Sequence, residues 1–435
     1  MDTTMNVRDH GLVRGMGLAP FTAAIVNGVV GAGVFTLPAV MALNVGPRAP
    51  LAFLVCAVAM GAVVLCAADS GRRVPTSGGI YGTVDAAFGP RAAFVVGFVG
   101  IWLSSVLSCG GIAAAFAAVV GAAVPALAGG VPRALVILVV LAGLMVVNLR
   151  GVGFAARFIT FATVVKLVPL ILFVGIGAWF VTSANLHAGA GVGGDTLGGN
   201  FGRAVIFALF AFSGMETPLG ASGEVANPAR TVPRAIVVSM GFVLLLYIAV
   251  QLVAQGLLGT ALAHSTTPLA SAIATVSPAL GIVLLAGAGL SMLIWIGSDI
   301  LGAPRLLFAF ARDRLLPGWL GTVDGTYHVP RTAIFVHTAL VAVLAISGTF
   351  EALAILSGLA STLLYSLACA AAWRLSARGV GGRRGSRLLP VAAVIGVAAM
   401  IAIAVQAKPD ELFGLAAAVT IALAIYAGRR AFSAT

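Results

Sequence analysis

Charged residues are scarce in this sequence: Asp, Glu, Lys and Arg make up nine per cent of its 435 residues, whereas soluble domains carry about a quarter. With sixty per cent of the residues hydrophobic, a soluble fold could not hide the apolar surface. Cysteine is nearly absent. The four present, Cys56, Cys66, Cys109 and Cys369, lie inside apolar runs with no C-x-x-C spacing, which points away from a disulfide framework or a zinc site and towards small core residues. Catalytic motifs are missing as well. The five histidines are scattered and neither H-E-x-x-H nor G-x-S-x-G occurs, whereas an intramembrane enzyme would need a nucleophile with its base or a metal cluster. One loose G-x-G-x-x-A match, Gly151 to Ala156, has no strand before it and no acid about 20 residues on, so no cofactor is expected. The stretch ahead of the first apolar run is polar and charged through Arg14, without the features of a cleaved signal peptide. Insertion is expected to rest on the first helix itself.

Apolar segments are what the sequence has in abundance. A membrane-spanning helix needs about 20 predominantly apolar residues, and such runs recur at 17–43, 50–68, up to about 124, 135–147, 154–180, from 203, 236–257, 280–311, 333–347, 353–373, 388–405 and 412–426. This pattern predicts an all-α polytopic membrane protein with 12 transmembrane helices in one bundle. Between those spans, Arg48, Arg133, Arg203 and Lys408 fall on one side and the loop and terminal arginines on the other. By the positive-inside rule both ends are expected in the cytoplasm. The net charge of +12 then reflects topology and attraction to anionic inner-leaflet lipid, with no call for nucleic acid.

Two of the spans break their own pattern. In the sixth, Ser213-Gly214-Met215-Glu216-Thr217-Pro218 places a glycine, an acid and a proline where the run should be apolar. In lipid an irregular backbone is tolerated only where protein buries it or it lines a wet cavity, and an intramembrane ionisable group marks a functional site by default. The first span is interrupted by Asn27-Gly28-Val29-Val30-Gly31-Ala32-Gly33, which on its own is also compatible with close helix packing. Paired interruptions at corresponding places in two halves are the sequence pointer to a transporter site built on inverted repeats. The reading is a single transmembrane domain with a 5+5 inverted repeat, 17–180 and 203–373, broken helices one and six, and two further helices over 388–426.

Several motifs resemble one family. Gly223-Glu224-Val225-Ala226-Asn227-Pro228-Ala229-Arg230-Thr231-Val232-Pro233-Arg234 resembles the close of the sixth helix in amino acid/polyamine/organocation permeases. The loop Pro75-Thr76-Ser77-Gly78-Gly79-Ile80-Tyr81 with Ala87-Phe88-Gly89-Pro90 is similar to that family's P-x-S-G-G-x-Y and A-F-G-P pattern, and Arg305 to Pro317 to its R-x-x-x-x-x-A-R-D-x-x-x-P ending. The compact length looks most like the basic amino acid/polyamine antiporter branch. The resemblance implies a secondary-active amino acid permease of the plasma (inner) membrane, working by alternating access, sodium-independent and proton-linked. Its partners would be an amino acid or amine substrate, a proton and membrane lipid, with the chain acting as a monomer or homodimer. A cationic amino acid/polyamine exchanger and a non-transporting amino acid sensor stand as alternatives.

The resemblance also implies where such a substrate binds. A dry pocket must pair both charges of a zwitterion, and broken helices do so with backbone N–H groups and carbonyls. The carboxylate is expected against Gly31, Ala32 and Gly33, beside Gly28, and at the start of the half-helix after Gly214; the ammonium is expected on carbonyls of Phe210, Phe212 or Ser213. Phe210 and Phe212 match an aromatic gate, or are core or lipid-facing phenylalanines. Glu216 matches an acid of the arginine/agmatine antiporters, or is an acid satisfied by opened backbone N–H groups. Asp299 falls where those antiporters place a tryptophan, and either meets a cation or proton or pairs with Arg305. Lys166 lies halfway along the fifth span, too deep to snorkel easily, and those antiporters have an apolar residue there. An ammonium at that depth costs roughly 2.5–3.5 kcal/mol. In sodium-independent relatives a lysine in a similar context stands where sodium-coupled ones hold an ion, so Lys166 is expected to couple a proton, or to act as a fixed cation in an exchanger.

Overall fold

The computed structural model describes residues 16–74, 79–150, 155–188, 199–219, 225–325, 327–381 and 388–433. Residues 75–78 of the loop motif, 151–154, the Gly223-Glu224 start of the sixth-span signature, and Arg383, Arg384 and Arg387 of the basic linker lie outside them. Among the described residues the fold is all helix, apart from one isolated parallel bridge between Met16 and Val225. Seven helical stretches are long and apolar enough to cross a membrane, and five shorter apolar helices accompany them. The exposed side chains explain why a bilayer is needed. Only 11% of the fourth span, Gly130–Leu149, and of the twelfth, Pro409–Arg429, is buried, and Val131, Val139 and Phe413 stand about three-quarters exposed. Helices that are apolar all round belong in hydrocarbon.

Both expected breaks are present. The first span runs as Leu18–Val29, leaves helical geometry at Val30, passes an extended Gly31 and a 3-10 turn Ala32–Phe35, and resumes as Leu37–Val45 with Pro38 in its first turn. Proline suits that position, where its missing N–H has no partner to lose. The sixth span runs as Gly199–Phe212 and resumes as the single turn Glu216–Leu219, with Gly214 at φ +112° between them. Only glycine adopts that backbone conformation without strain.

The third span holds a feature the apolar pattern conceals. Between Pro90–Val95 and Ser104–Ala123 the chain widens into a π-helical stretch, Val96–Leu103, a geometry often found beside functional sites. The widened turn carries Gly97 and Gly100, and a side chain there would press on Phe310 and on Leu364. The eighth span is Pro278–Gly302 followed by Pro304–Arg312. The tenth, Phe350–Ala377, lies at the centre of the bundle, packed on the second (Ala49–Arg73), third, sixth and eleventh (Leu389–Ala404) spans. It is tied to the second by Arg73, which bonds Asp69 at 2.5 Å, Ser376 Oγ at 3.2 Å and the Val380 carbonyl at 3.0 Å.

Candidate functional site

The two breaks meet. A Cβ placed on Gly28 would lie 2.7 Å from the Gly214 carbonyl oxygen and 3.2 Å from Pro218 Cγ, so the unwound backbones touch with no room for a side chain. Breaking a helix frees carbonyls that must find donors. Tyr247, on the seventh span (Pro228–Leu258), reaches both breaks: its single hydroxyl proton lies between the Val29 carbonyl at 3.0 Å and the Ala211 carbonyl at 3.1 Å. Beside this junction lies a cavity of about 1270 Å³ that reaches down to Met16, Asp85 and Arg312.

Gly28, Gly31, Gly33, Phe210, Ser213, Gly214, Lys166, Glu216 and Asp299 all line the cavity. Ala32 sits at the start of the 3-10 turn, where the first N–H groups lack intrahelical acceptors. Phe212 does not belong with them. Its ring is buried, edge-on to Phe53 at 6.3 Å and 5.7 Å from Tyr247, so it is a core residue behind the site rather than a gate. Phe210 lines the cavity, with its ring against Gly33 and edge-on to Phe350 at 5.8 Å. The expected consequence is a clean separation. Phe212→Ala should lower the thermal midpoint of the purified protein, since large-to-small aromatic changes in a core cost about 3–5 kcal/mol. Phe210→Ala, at a ring that is also buried but lines the cavity, should in addition raise the ligand concentration needed for a thermal shift, which Phe212→Ala should not.

The acids are committed to the protein's own donors. Gly214 N–H donates to both Glu216 oxygens, at 3.2 and 3.1 Å, and the Tyr365 hydroxyl to Oε2 at 3.0 Å. The Gly214 N–H is therefore occupied by Glu216, at the head of the half-helix where the substrate carboxylate was expected. Asp299 does not pair with Arg305. It accepts from His337 Nε2 at 3.0 Å and from Ser105 Oγ, while Arg305 Nη1 is buried without a hydrogen bond among the described residues. The ligand-type atoms of Cys109, Asp299 and His337 all lie within 4.8 Å of one another. Hydrogen bonds account for this cluster, because both Asp299 oxygens are engaged and His337 Nδ1 has no partner. A metal-binding imidazole normally has its second nitrogen held.

Lys166 is fully buried and reaches into the first break, donating from Nζ to the Asn27 carbonyl at 3.3 Å. Among the described residues it makes no ion pair. Several wall residues were not expected from the sequence. Trp295 of the eighth span presses its indole on Gly31, with Nε1 3.1 Å from where a Cβ would stand. Ser104 and Ser108 of the third span meet Ser357 of the tenth at 2.8 and 2.7 Å, and Ser213 donates to the Leu209 carbonyl and to Ser361 Oγ. Two signals were available: a tryptophan at mid-span rather than at an interface, and serines recurring four apart on one helix face.

Comparison with known proteins adds an independent line. Residues 17–427 match the amino acid permease family. An uncharacterised transporter of Mycobacterium tuberculosis H37Rv is 30% identical over 423 residues, 96% of this chain and 92% of that one. The serine/threonine exchanger SteT of Bacillus subtilis is 25% identical over 405 residues, covering 90% of this chain and 91% of its own. The branched-chain amino acid permease BcaP of Lactococcus lactis is 28% identical over 374 residues, covering 78% and 77%.

Proposed function

The chain belongs to the amino acid permease family, and from that premise we propose that it is a secondary-active carrier of amino acids in the plasma membrane, sodium-independent and proton-linked. Two inverted repeats, 17–180 and 203–373, would rock about the junction of the broken helices, with both chain ends in the cytoplasm and the cavity opening towards it past Asp85 and Arg312. One observation carries the coupling: the Lys166 ammonium rests on the Asn27 carbonyl, against the first break. The resemblance to sodium-independent permeases would put this lysine where sodium-coupled relatives hold a cation. Because that acceptor is neutral, Lys166 can release a proton without leaving an orphaned carboxylate behind. Glu216 and Asp299 line the cavity and already accept hydrogen bonds from the protein, and a cationic amino acid/polyamine exchanger that uses their remaining lone pairs is the alternative reading.

The purified protein in liposomes loaded with a mixture of unlabelled amino acids should take up a labelled amino acid by counterflow, with no chemical change in the solute. An imposed sodium gradient should not drive net accumulation. Absence of counterflow with every amino acid tried would favour a sensor, and chemical conversion of the solute an enzyme.

A further inference from the structure

Facing the two breaks, the third and eighth spans present a wall rich in serine: Ser104, Ser105, Ser108 and Ser298, with Ser213 at the edge of the sixth-span break. The hydrogen bonds of these hydroxyls can be accounted for one by one. Ser105 donates to Asp299, Ser298 to the Ile294 carbonyl at 2.9 Å and Ser213 to the Leu209 carbonyl at 2.8 Å. Behind the wall, Ser357 donates to the Ser104 carbonyl at 3.1 Å. The Ser357 hydroxyl also lies 2.7 Å from Ser108 Oγ and 2.8 Å from Ser104 Oγ, where either partner can donate, and Ser104 Oγ is 3.2 Å from the Ser357 carbonyl.

Each hydroxyl has one proton and two lone pairs, so with the Ser105, Ser298 and Ser213 protons spent inside the protein the wall offers the cavity oxygen lone pairs. The complement of such a wall is a small group that donates. Trp295 contributes an indole N–H, which cannot accept, and its ring against Gly31 keeps the space beside the break narrow. A substrate anchored by its backbone at the Gly31–Gly33 junction would direct its side chain at this wall.

We propose that the side-chain subsite selects a small, hydroxyl-bearing neutral amino acid, serine or threonine, over isosteric aliphatic ones. The inference rests on the permease reading above and deepens it. A hydroxyl donates to the serine oxygens and accepts from Trp295. A valine of the same shape leaves those groups unpaired, and a site built to hydrogen-bond a substrate rejects the analogue that lacks the group.

The test is counterflow of labelled threonine into proteoliposomes, challenged with unlabelled threonine, serine, valine, leucine, asparagine and arginine. Threonine should compete about tenfold more strongly than valine, the scale of one hydrogen bond with its buried partners left unmade. In Ser108→Ala, checked for monodispersity, the threonine-to-valine ratio should fall towards one; Ser347→Ala, on an exposed serine at the end of the ninth span, should keep it. Valine or leucine competing as well as threonine, asparagine or arginine competing better, or an unchanged ratio in Ser108→Ala would overturn the subsite while leaving the permease reading intact. Failure of every amino acid to exchange would overturn the permease reading itself, and the subsite with it.

Discussion

Gly214→Ala and Gly28→Ala should each abolish exchange while Gly31→Ala and Gly33→Ala retain most of it. The order follows from what an added methyl would meet. At Gly214 the backbone has φ +112° and the new Cβ would collide with the Gly28 carbonyl oxygen. A non-glycine residue held in such a conformation costs about 1–3 kcal/mol, and the collision adds to it, because a carbonyl in the opposing break cannot rotate aside. At Gly28 the Cβ would stand 2.7 Å from the Gly214 oxygen, again backbone. At Gly31 and Gly33 the nearest atoms are Trp295 Nε1 at 3.1 Å and Phe210 Cε1 at 3.0 Å. Those are side-chain atoms that can yield by a few tenths of an ångström. Larger residues remove that tolerance, so Gly31→Leu and Gly33→Leu should behave like Gly214→Ala. The measurement is the initial rate of counterflow per folded protein, normalised by monodispersity in detergent. A fall of at least about tenfold is expected for the first pair, given that strain. Normal exchange by Gly214→Ala and Gly28→Ala would remove the junction from the transport mechanism.

That contrast also shows how far the sequence carries. The membrane class and both breaks were legible because a span is a long apolar run, and glycine, acid and proline inside it stand out against a uniform background. The π-helical stretch Val96–Leu103 was not, since its surroundings are contacts across the bundle, with Phe310 and Leu364 close against Gly97 and Gly100. Phe210 and Phe212 show the same limit on a smaller scale. Two residues apart on a helix they point to nearly opposite faces, so one ring reaches the cavity and the other packs on Phe53 and Tyr247. Composition does not say which. At the eighth span, counting back from Pro317 put Asp299 at the place of a pocket tryptophan. Trp295 and Asp299 lie one turn apart on one face, and both line the cavity. The partners that decide what each acid does, Tyr365 for Glu216 and His337 for Asp299, lie on spans distant in sequence and carry no local signature.

Lys166→Ala should separate coupling from folding. In the parent, an inward proton gradient should drive accumulation and a sodium gradient should not; in Lys166→Ala the proton drive should disappear while a reduced counterflow persists. Several opposing terms bear on the stability of this variant, including the cavity left by truncating a fully buried side chain. Removing an ammonium at mid-span relieves roughly 2.5–3.5 kcal/mol of insertion cost, and leaving the buried Asn27 carbonyl without its donor costs about 1–3 kcal/mol. The thermal midpoint is therefore measured on the same preparation, so that a loss of coupled uptake is separated from unfolding. Lys166→Arg is the sharper control. A guanidinium stays protonated at any working pH and so keeps the cation beside the first break without being able to give up a proton. If Lys166 carries the coupled proton, the arginine variant should resemble Lys166→Ala in losing proton drive. If it serves only as a fixed cation in an exchanger, the arginine variant should keep the parent's counterflow, and neither variant should alter a pH dependence. Sodium-driven accumulation by the parent, or proton drive surviving in an active Lys166→Ala, would sink the proton-linked reading and leave the lysine a structural tie between the fifth span and the break in the first.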